Sequence, residues 1–255
     1  MFAQQIDYFT LPNKVLTIDE IRRVLESLRE DQVSKSISTR RRLWPEVIQG
    51  ESILERVRQH HPSTISAWQR LIVFRLACCC GLRNKEIRLL RLRDLVLDCE
   101  RPHVRVRSEA TKASAHGPGH SRAVPLWWDK STLSDLQDYV SYLRTRRGPE
   151  GEEENPFVLY DTGGRSGRGP HMGVGRSGAS YKWDSSLLVL PEHRRLSIHC
   201  GRHSFCSHAL VAGRTLVEVQ KAAGHRWITT TQVYLHALES GADLPDIFPE
   251  QEIDW

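Results

Sequence analysis

Residues 64–80 constrain the fold more than any other stretch of the chain. Ile65, Trp68, Leu71, Ile72 and Ala77 recur at helical spacing in a strongly apolar run. A helix with so little polar surface is a buried one. Gly81 follows where a C-terminal cap belongs. Cys78, Cys79 and Cys80 close the run, and Cys99, Cys200 and Cys206 complete the cysteines. Consecutive thiols inside an apolar helix suit buried, reduced residues and not a disulfide framework.

Other elements follow from local signals. Thr17-Ile-Asp-Glu20 is a capping box, and Ile21, Val24, Leu25 and Leu28 continue it as a helix. Residues 1–16 precede it as an irregular arm, and residues 31–62 read as a polar insertion. A short helix is expected from Asn84 through Leu90. His103-Val-Arg-Val-Arg107 alternates like a strand, with Arg122-Ala-Val-Pro-Leu126 as its partner. Leu133, Leu136, Val140 and Leu143 mark another helix, and Phe157–Tyr160 reads as a short strand. Trp127 and Trp128 read as core or subunit packing. Residues 161–180 are rich in Gly, Ser and Arg and read as a loop. Helices are expected at 198–212, 215–223 and 228–238, punctuated by Gly213 and Gly224, with a second capping box at Thr215 and Glu218. The expected class is α+β, mainly α-helical, with a small antiparallel β-sheet packed against helices.

Charge bears on the partner. The 255 residues carry +5, yet residues 239–255 hold six acidic residues and no Lys or Arg. Removing those six negatives leaves +11 on the rest, a balance that favours a polyanion. No apolar stretch reaches the roughly 18 residues of a membrane span, and no secretory signal is visible. The expectation is a cytoplasmic, nucleoid-associated protein with no membrane partner.

Chemistry concentrates in a few residues. His199 and Arg202 stand at i and i+3, on one face of a helix. Arg83 lies just past the buried helix with Glu86 after it, Lys112 sits between the two strands, and His225 precedes Tyr234. Phosphoryl transfer uses such groups. Arginines hold the non-bridging oxygens of a phosphate. A histidine moves the proton of a tyrosine hydroxyl, and a lysine protonates the leaving oxygen. Tyrosine stores the bond as a covalent ester. Cys200, His203, Cys206 and His208 also admit a zinc reading, but structural zinc sites draw ligand pairs from separated segments, so no metal is assigned.

The segments "CGLRNKEIRLLRLRDL", "TKASAHGPGHSRAVPL", "IHCGRHSFCSHAL" and "AAGHRWITTTQVYLH" carry these groups in order. They resemble the catalytic domain of the tyrosine recombinase, or phage integrase, family, over roughly residues 17–238. The resemblance implies that Arg83 and Arg202 clamp the phosphate and that Lys112 is the general acid. It implies that His199 is the general base and that His225 hydrogen-bonds the scissile phosphate. Tyr234 is then the nucleophile that forms a 3′-phosphotyrosine, with Glu86 supporting Arg83. It further implies double-stranded DNA as partner, no cofactor, and four protomers on two duplexes, with a monomer possible in isolation. Leu244, Ile247, Phe248 and Trp255 offer anchors for the acidic tail 239–255 on a neighbouring protomer. Arg165, Arg168 and Arg176 of the Gly-rich loop are candidates to track a DNA backbone.

Two departures stand out. The family carries Leu before the second arginine, where this chain has Gly201, a local packing change. The catalytic pattern starts at Thr17, which leaves no room for the family's separate helical DNA-binding domain and predicts weak DNA affinity alone. Two alternatives remain at this level: a type IB topoisomerase-like relaxing enzyme, and a truncated relic that only binds DNA.

Overall fold

The computed structural model describes residues 14–43, 62–111, 120–147, 156–160, 173–190 and 196–235, without the side chains of 32–43, 62–64, 145 and 146. The expected buried helix, α2 (Pro62–Cys78), runs through the middle of the domain. Its stretch from Leu71 to Ala77 and the three cysteines that follow are at most 1% exposed. Helix α1 (Ile18–Leu43) packs along it through Ile21, Val24, Leu25 and Leu28. The Thr17 capping box is formed: the Glu20 N–H donates to Thr17 Oγ1, and the Thr17 N–H donates to Glu20 Oε2. The first part of the polar stretch 31–62 is therefore helical. Gln32, Lys35, Arg40, Arg41 and Arg42 are good helix formers and help carry the helix to Leu43.

Arg75 is fully buried within α2 and holds α4 (Lys130–Arg147) in place. Its Nε donates to Asp135 at 2.8 Å, and its Nη1 donates to Asp129 at 3.1 Å and to Thr132 at 3.0 Å. A buried guanidinium is tolerable only when paired in this way. Asp129 keeps its charge for the same reason: burial opposes it, but the Arg75 charge and bonds from Thr132 outweigh burial and lower its pKa.

The sheet is three-stranded and antiparallel, β1 (Leu95–Val96), β2 (His103–Val106) and β3 (Arg122–Pro125), in that order. The expected hairpin pairs Val104 with Val124 and Val106 with Arg122. Val104, Val106 and Val124 point into the core shared with α2, and Arg105 faces out. Beyond β3, Trp127 stacks on Phe205 and Trp128 meets His208 edge-on, so both are core residues.

Two expectations need correction. Phe157–Tyr160 is not a strand: only single bridges occur, Arg91 to Phe157 and Tyr160 to Gly173. The segment bonds to different neighbours in turn, with the Val158 N–H on Leu90 and the Val158 carbonyl on the Tyr139 hydroxyl, so no ladder can run along it. The Gly-rich loop also ends earlier than expected, because Arg176 opens α5 (Arg176–Ser186). Ala179, Trp183 and Ser186 form the buried stripe of that helix. Short α3 (Asn84–Leu89) packs on α5. The last third forms α6 (Ile198–Val211), α7 (Leu216–Ala223) and α8 (Ile228–Gln232), and α8 gives way to a turn at Val233–Leu235. The Thr215–Glu218 capping box opens α7.

Candidate active site

Two left-handed glycines aim the chain into one region. Gly81, with φ of +62°, turns it out of α2 toward Arg83. Gly224, with φ of +67°, ends α7 and delivers His225. Only glycine takes this conformation at little cost. A β-carbon on Gly81 would also lie 2.4 Å from Phe205.

Arg83 is the N-cap of α3. Its N–H donates to Glu86 Oε2 at 2.8 Å, its Nη1 donates to Oε1 at 2.9 Å, and its Nη2 reaches the Gly224 carbonyl at 3.3 Å. Its side chain stays about a third exposed, whereas Glu86 is buried. Arg122 completes this arrangement. It donates twice to Glu86, at 2.9 and 2.8 Å, and once to the Ala222 carbonyl at 2.7 Å. The buried carboxylate thus locks β3, α3 and the end of α7 to one another. Burial disfavours the Glu86 charge, yet the hydrogen bonds and charge of Arg122, with the charge of Arg83, outweigh it and pull its pKa to about 2.

Helix α6 supplies the next groups. Arg202 is 1% exposed and donates through Nη1 to the Gly81 carbonyl at 2.8 Å. Its Nη2 is buried with no hydrogen-bond partner among the described residues. Such a donor costs free energy until an acceptor arrives, and a phosphate oxygen is a fitting one. His199, one turn earlier, is the exposed member of the face. Burial lowers its pKa, with help from Arg202 and Arg83. His225 Nδ1 is 3.0 Å from Thr231 Oγ1, and burial and the charges of Arg202, Arg83 and Arg122 hold its pKa at about 3.

Tyr234 is 4% exposed. Its ring lies parallel to that of His225, with centroids 6.0 Å apart. Its hydroxyl is 2.8 Å from Nδ1 of His203, and burial raises its pKa well above the ordinary phenol value. Arg83, Glu86, His199, Arg202, His225 and Tyr234, six of the residues picked from sequence, therefore converge. Around them stand three guanidiniums, one carboxylate and imidazoles that are neutral near pH 7, a field suited to an anion.

Lys112, Arg165 and Arg168 lie outside the described residues, as do residues 1–13 and the tail 239–255. Thr111, just before Lys112, is held beside α3 by the Lys85 ammonium, which donates to its carbonyl at 3.0 Å. Arg176 is exposed at the start of α5. Arg122, His203 and Thr231 escaped sequence reasoning. Arg122 is one of many arginines, and its partner is 36 positions away. His203 drew notice only as a zinc candidate. In the structure the four zinc candidates do not converge on one point: His203 and Cys206 meet Tyr234, Cys200 meets Ser197, and His208 meets the Leu16 carbonyl. Among the described residues no cluster of three His, Cys, Asp or Glu side chains is placed to hold a metal.

Gly201 has a clear steric role. A β-carbon there would lie 2.8 Å from the Ala77 β-carbon and 3.0 Å from its carbonyl carbon. The leucine common in the family would not fit while α6 lies this close to α2.

Known proteins match in both sequence and shape. Residues 46–240 match the Phage integrase family. Tyrosine recombinase XerD of Rickettsia bellii (strain RML369-C) is 50% identical over 160 residues, which are 61% of this chain and 48% of that protein. Tyrosine recombinase XerD of Rhizobium meliloti (strain 1021) is 32% identical over 118 residues, 46% of this chain and 34% of that protein. The chain thus spans half or less of the length of these relatives. The crystal structure of XerA recombinase superposes with a TM-score of 0.57 at 16% identity, over 89% of this chain and 63% of that one. XerH site-specific recombinase, bound to its difH substrate before cleavage, superposes with a TM-score of 0.52 at 17% identity, over 90% of this chain and 52% of that one. At such identities the likeness is one of fold. No described helix is long and apolar enough to cross a membrane.

Proposed function

Because the chain belongs to the phage integrase family, we propose that it cuts and rejoins DNA strands through a covalent 3′-phosphotyrosine on Tyr234. The observation that carries this reading is the buried Nη2 of Arg202, which has no hydrogen-bond partner among the described residues and lies in the same site as Arg83 and Tyr234. A scissile phosphate supplies the missing acceptor. Arg83 and Arg202 hold its non-bridging oxygens and stabilise the charge that grows there in the transition state. Glu86 fixes the Arg83 guanidinium from behind. His225, oriented by Thr231, hydrogen-bonds a phosphate oxygen.

The chemistry is a transesterification. The Tyr234 oxygen bonds to phosphorus, and the bond to the 5′-oxygen breaks. Lys112 gives that oxygen its proton, and His199 serves in acid–base transfer on the tyrosine side and on the return step. The ester conserves the energy of the broken bond, so a 5′-hydroxyl from another strand reverses the step without ATP. No cofactor enters this scheme.

The partner is double-stranded DNA, and four protomers on two duplexes complete the exchange. Arg165, Arg168 and Arg176 follow the backbone, and the acidic tail 239–255 docks on a neighbour. Residues 17–238 form the catalytic unit, between the arm 1–16 and that tail. Such a protein works in the cytoplasm, on the nucleoid. A nicked duplex that traps the covalent intermediate is the test. Wild type should leave DNA attached at Tyr234, and Tyr234→Phe should leave none. A wild-type chain without adduct on any duplex from its own genomic neighbourhood would sink the reading.

A further inference from the structure

We propose that His203 is a further catalytic residue, whose Nδ1 accepts the phenolic proton as Tyr234 attacks phosphorus and returns it when a DNA 5′-hydroxyl displaces the tyrosine. The proposal rests on the strand-transfer reading and, within it, reassigns acceptance of the phenolic proton from His199 to His203. The reacting oxygen touches this imidazole: His203 Nδ1 and the Tyr234 hydroxyl are 2.8 Å apart. The family resemblance assigned the base to His199, whose ring packs against that of His203. Those two rings meet edge-on with centroids 4.8 Å apart. The hydroxyl that must lose a proton bonds to His203 and also contacts Cys206, one turn further along the same helix.

The surroundings set the protonation state. His203 lies one position past Arg202 on α6 and is half-buried. Burial, then His199, Lys14 and Arg202, lower its pKa to about 4, so the ring is neutral near pH 7. A neutral ring with its proton on Nε2 presents a lone pair at Nδ1, and the phenol donates to it. A base must be in this state before the reaction. A bound phosphodiester brings negative charge close to the ring and raises its basicity just where the proton arrives. The proton balance closes. The phenolic proton moves to His203 as the bond from Tyr234 to phosphorus forms, and the departing 5′-oxygen takes a proton from Lys112. Both transfers reverse on religation.

This arrangement also fixes aim. Tyr234 sits on the turn after α8, and its hydroxyl is tied to α6, the helix that carries Arg202. The contacts with His203 and Cys206 thus set the distance between nucleophile and phosphate clamp. A positioning role alone requires only an acceptor at this point, whereas a base requires a group that takes up a proton.

The two roles separate by experiment. The probe is a pool of nicked suicide duplexes of randomised sequence, with adducts recovered covalently and mapped to Tyr234. Single-turnover cleavage is then followed against pH on a recovered duplex. His203→Gln keeps an acceptor but cannot hold the proton, and should cleave about 100-fold or more slower than wild type. Its rate should also lose the acidic limb of the wild-type pH profile. Nδ-methylhistidine at position 203 keeps the ring and blocks only the nitrogen that faces Tyr234. It should match the Gln defect while thermal unfolding stays native-like, which covers the case of a misfolded Gln variant. Cleavage by either folded variant within threefold of wild type, with an unchanged pH profile, would overturn the inference and leave strand transfer standing. A wild type that forms no Tyr234 adduct overturns strand transfer itself, and the inference with it.

Discussion

Arg122 sets both terminal nitrogens on the Glu86 carboxylate, Nη1 on Oε1 at 2.9 Å and Nη2 on Oε2 at 2.8 Å. The pair joins a strand to the helix that Arg83 caps, and the third donor of Arg122 holds the Ala222 carbonyl just before Gly224. Arg122 thus fixes two members of the candidate site, Arg83 and His225, from behind.

Removing Arg122 should therefore cost both stability and activity. Breaking a buried pair by deleting one partner costs about 3–5 kcal/mol. Glu86 keeps Arg83, so Arg122→Met should fall near the lower figure, about 3 kcal/mol in urea unfolding. The double variant Arg122→Met, Glu86→Gln should lose less than the two single losses together, because each single change strands the other partner. Additive losses would show that the two side chains act separately.

Acid should expose the same pair. The folded pKa of Glu86, about 2, lies below the ordinary Glu value. A depressed carboxylate pKa contributes stability that is fully present above the unfolded value. That contribution is lost as pH falls from about 4.5 to about 2, and it amounts to on the order of 3 kcal/mol. Asp129, also depressed, adds to the wild-type slope. The difference between wild type and Glu86→Gln isolates the Glu86 share. Parallel stability curves for the two proteins across that window would contradict the assignment.

Gly201→Ala opposes two effects of known size. Alanine gains about 1 kcal/mol over glycine inside a helix. Here the new β-carbon meets Ala77 at 2.8 Å and Ala77 backbone at 3.0 Å, and backbone cannot swing aside. Overpacking of this kind costs about 1–3 kcal/mol. The net expectation is a destabilised protein, and Gly201→Leu should be worse. Cleavage should drop as well, since a displaced α6 draws Arg202 away from the Gly81 carbonyl. Higher stability of Gly201→Ala in urea would refute the steric argument.

The parts legible in the sequence were those with local signals. Periodicity marked α2, side-chain spacing marked both capping boxes, and strand alternation marked the hairpin of β2 and β3. Helix α5 was missed because Gly, Ser and Arg dominate its approach. Its buried residues Ala179, Trp183 and Ser186 nevertheless keep helical spacing. In the site, Arg83, His199, Arg202, His225 and Tyr234 were found through their order along the chain. Arg122, Arg75 and His203 act through partners 36, 60 and 31 positions away. No local pattern encodes such distances; only the fold brings those groups together.

Lys112 is open to a chemical test. A general acid matters only while the leaving oxygen is a poor leaving group. Lys112→Ala should slow cleavage of ordinary DNA by about 100-fold or more. A duplex with sulfur at the bridging 5′ position should restore it, because a thiolate leaves without a proton. Equal impairment on both substrates would remove Lys112 from the acid role.

Arg202→Lys tests whether the clamp depends on geometry or only on charge. The guanidinium divides its work: Nη1 anchors to the Gly81 carbonyl at 2.8 Å, and Nη2 has no described partner. Lysine carries the same charge on a single nitrogen and cannot reproduce the planar fork. If it takes the Gly81 carbonyl, it leaves the phosphate; if it takes the phosphate, it leaves a buried carbonyl unsatisfied. Loss of one oxyanion donor costs about 10²–10³-fold in rate. Arg202→Lys should therefore form adduct at least 100-fold more slowly while still binding DNA in a gel shift. Wild-type cleavage rates in this variant would show that positive charge alone suffices at this position.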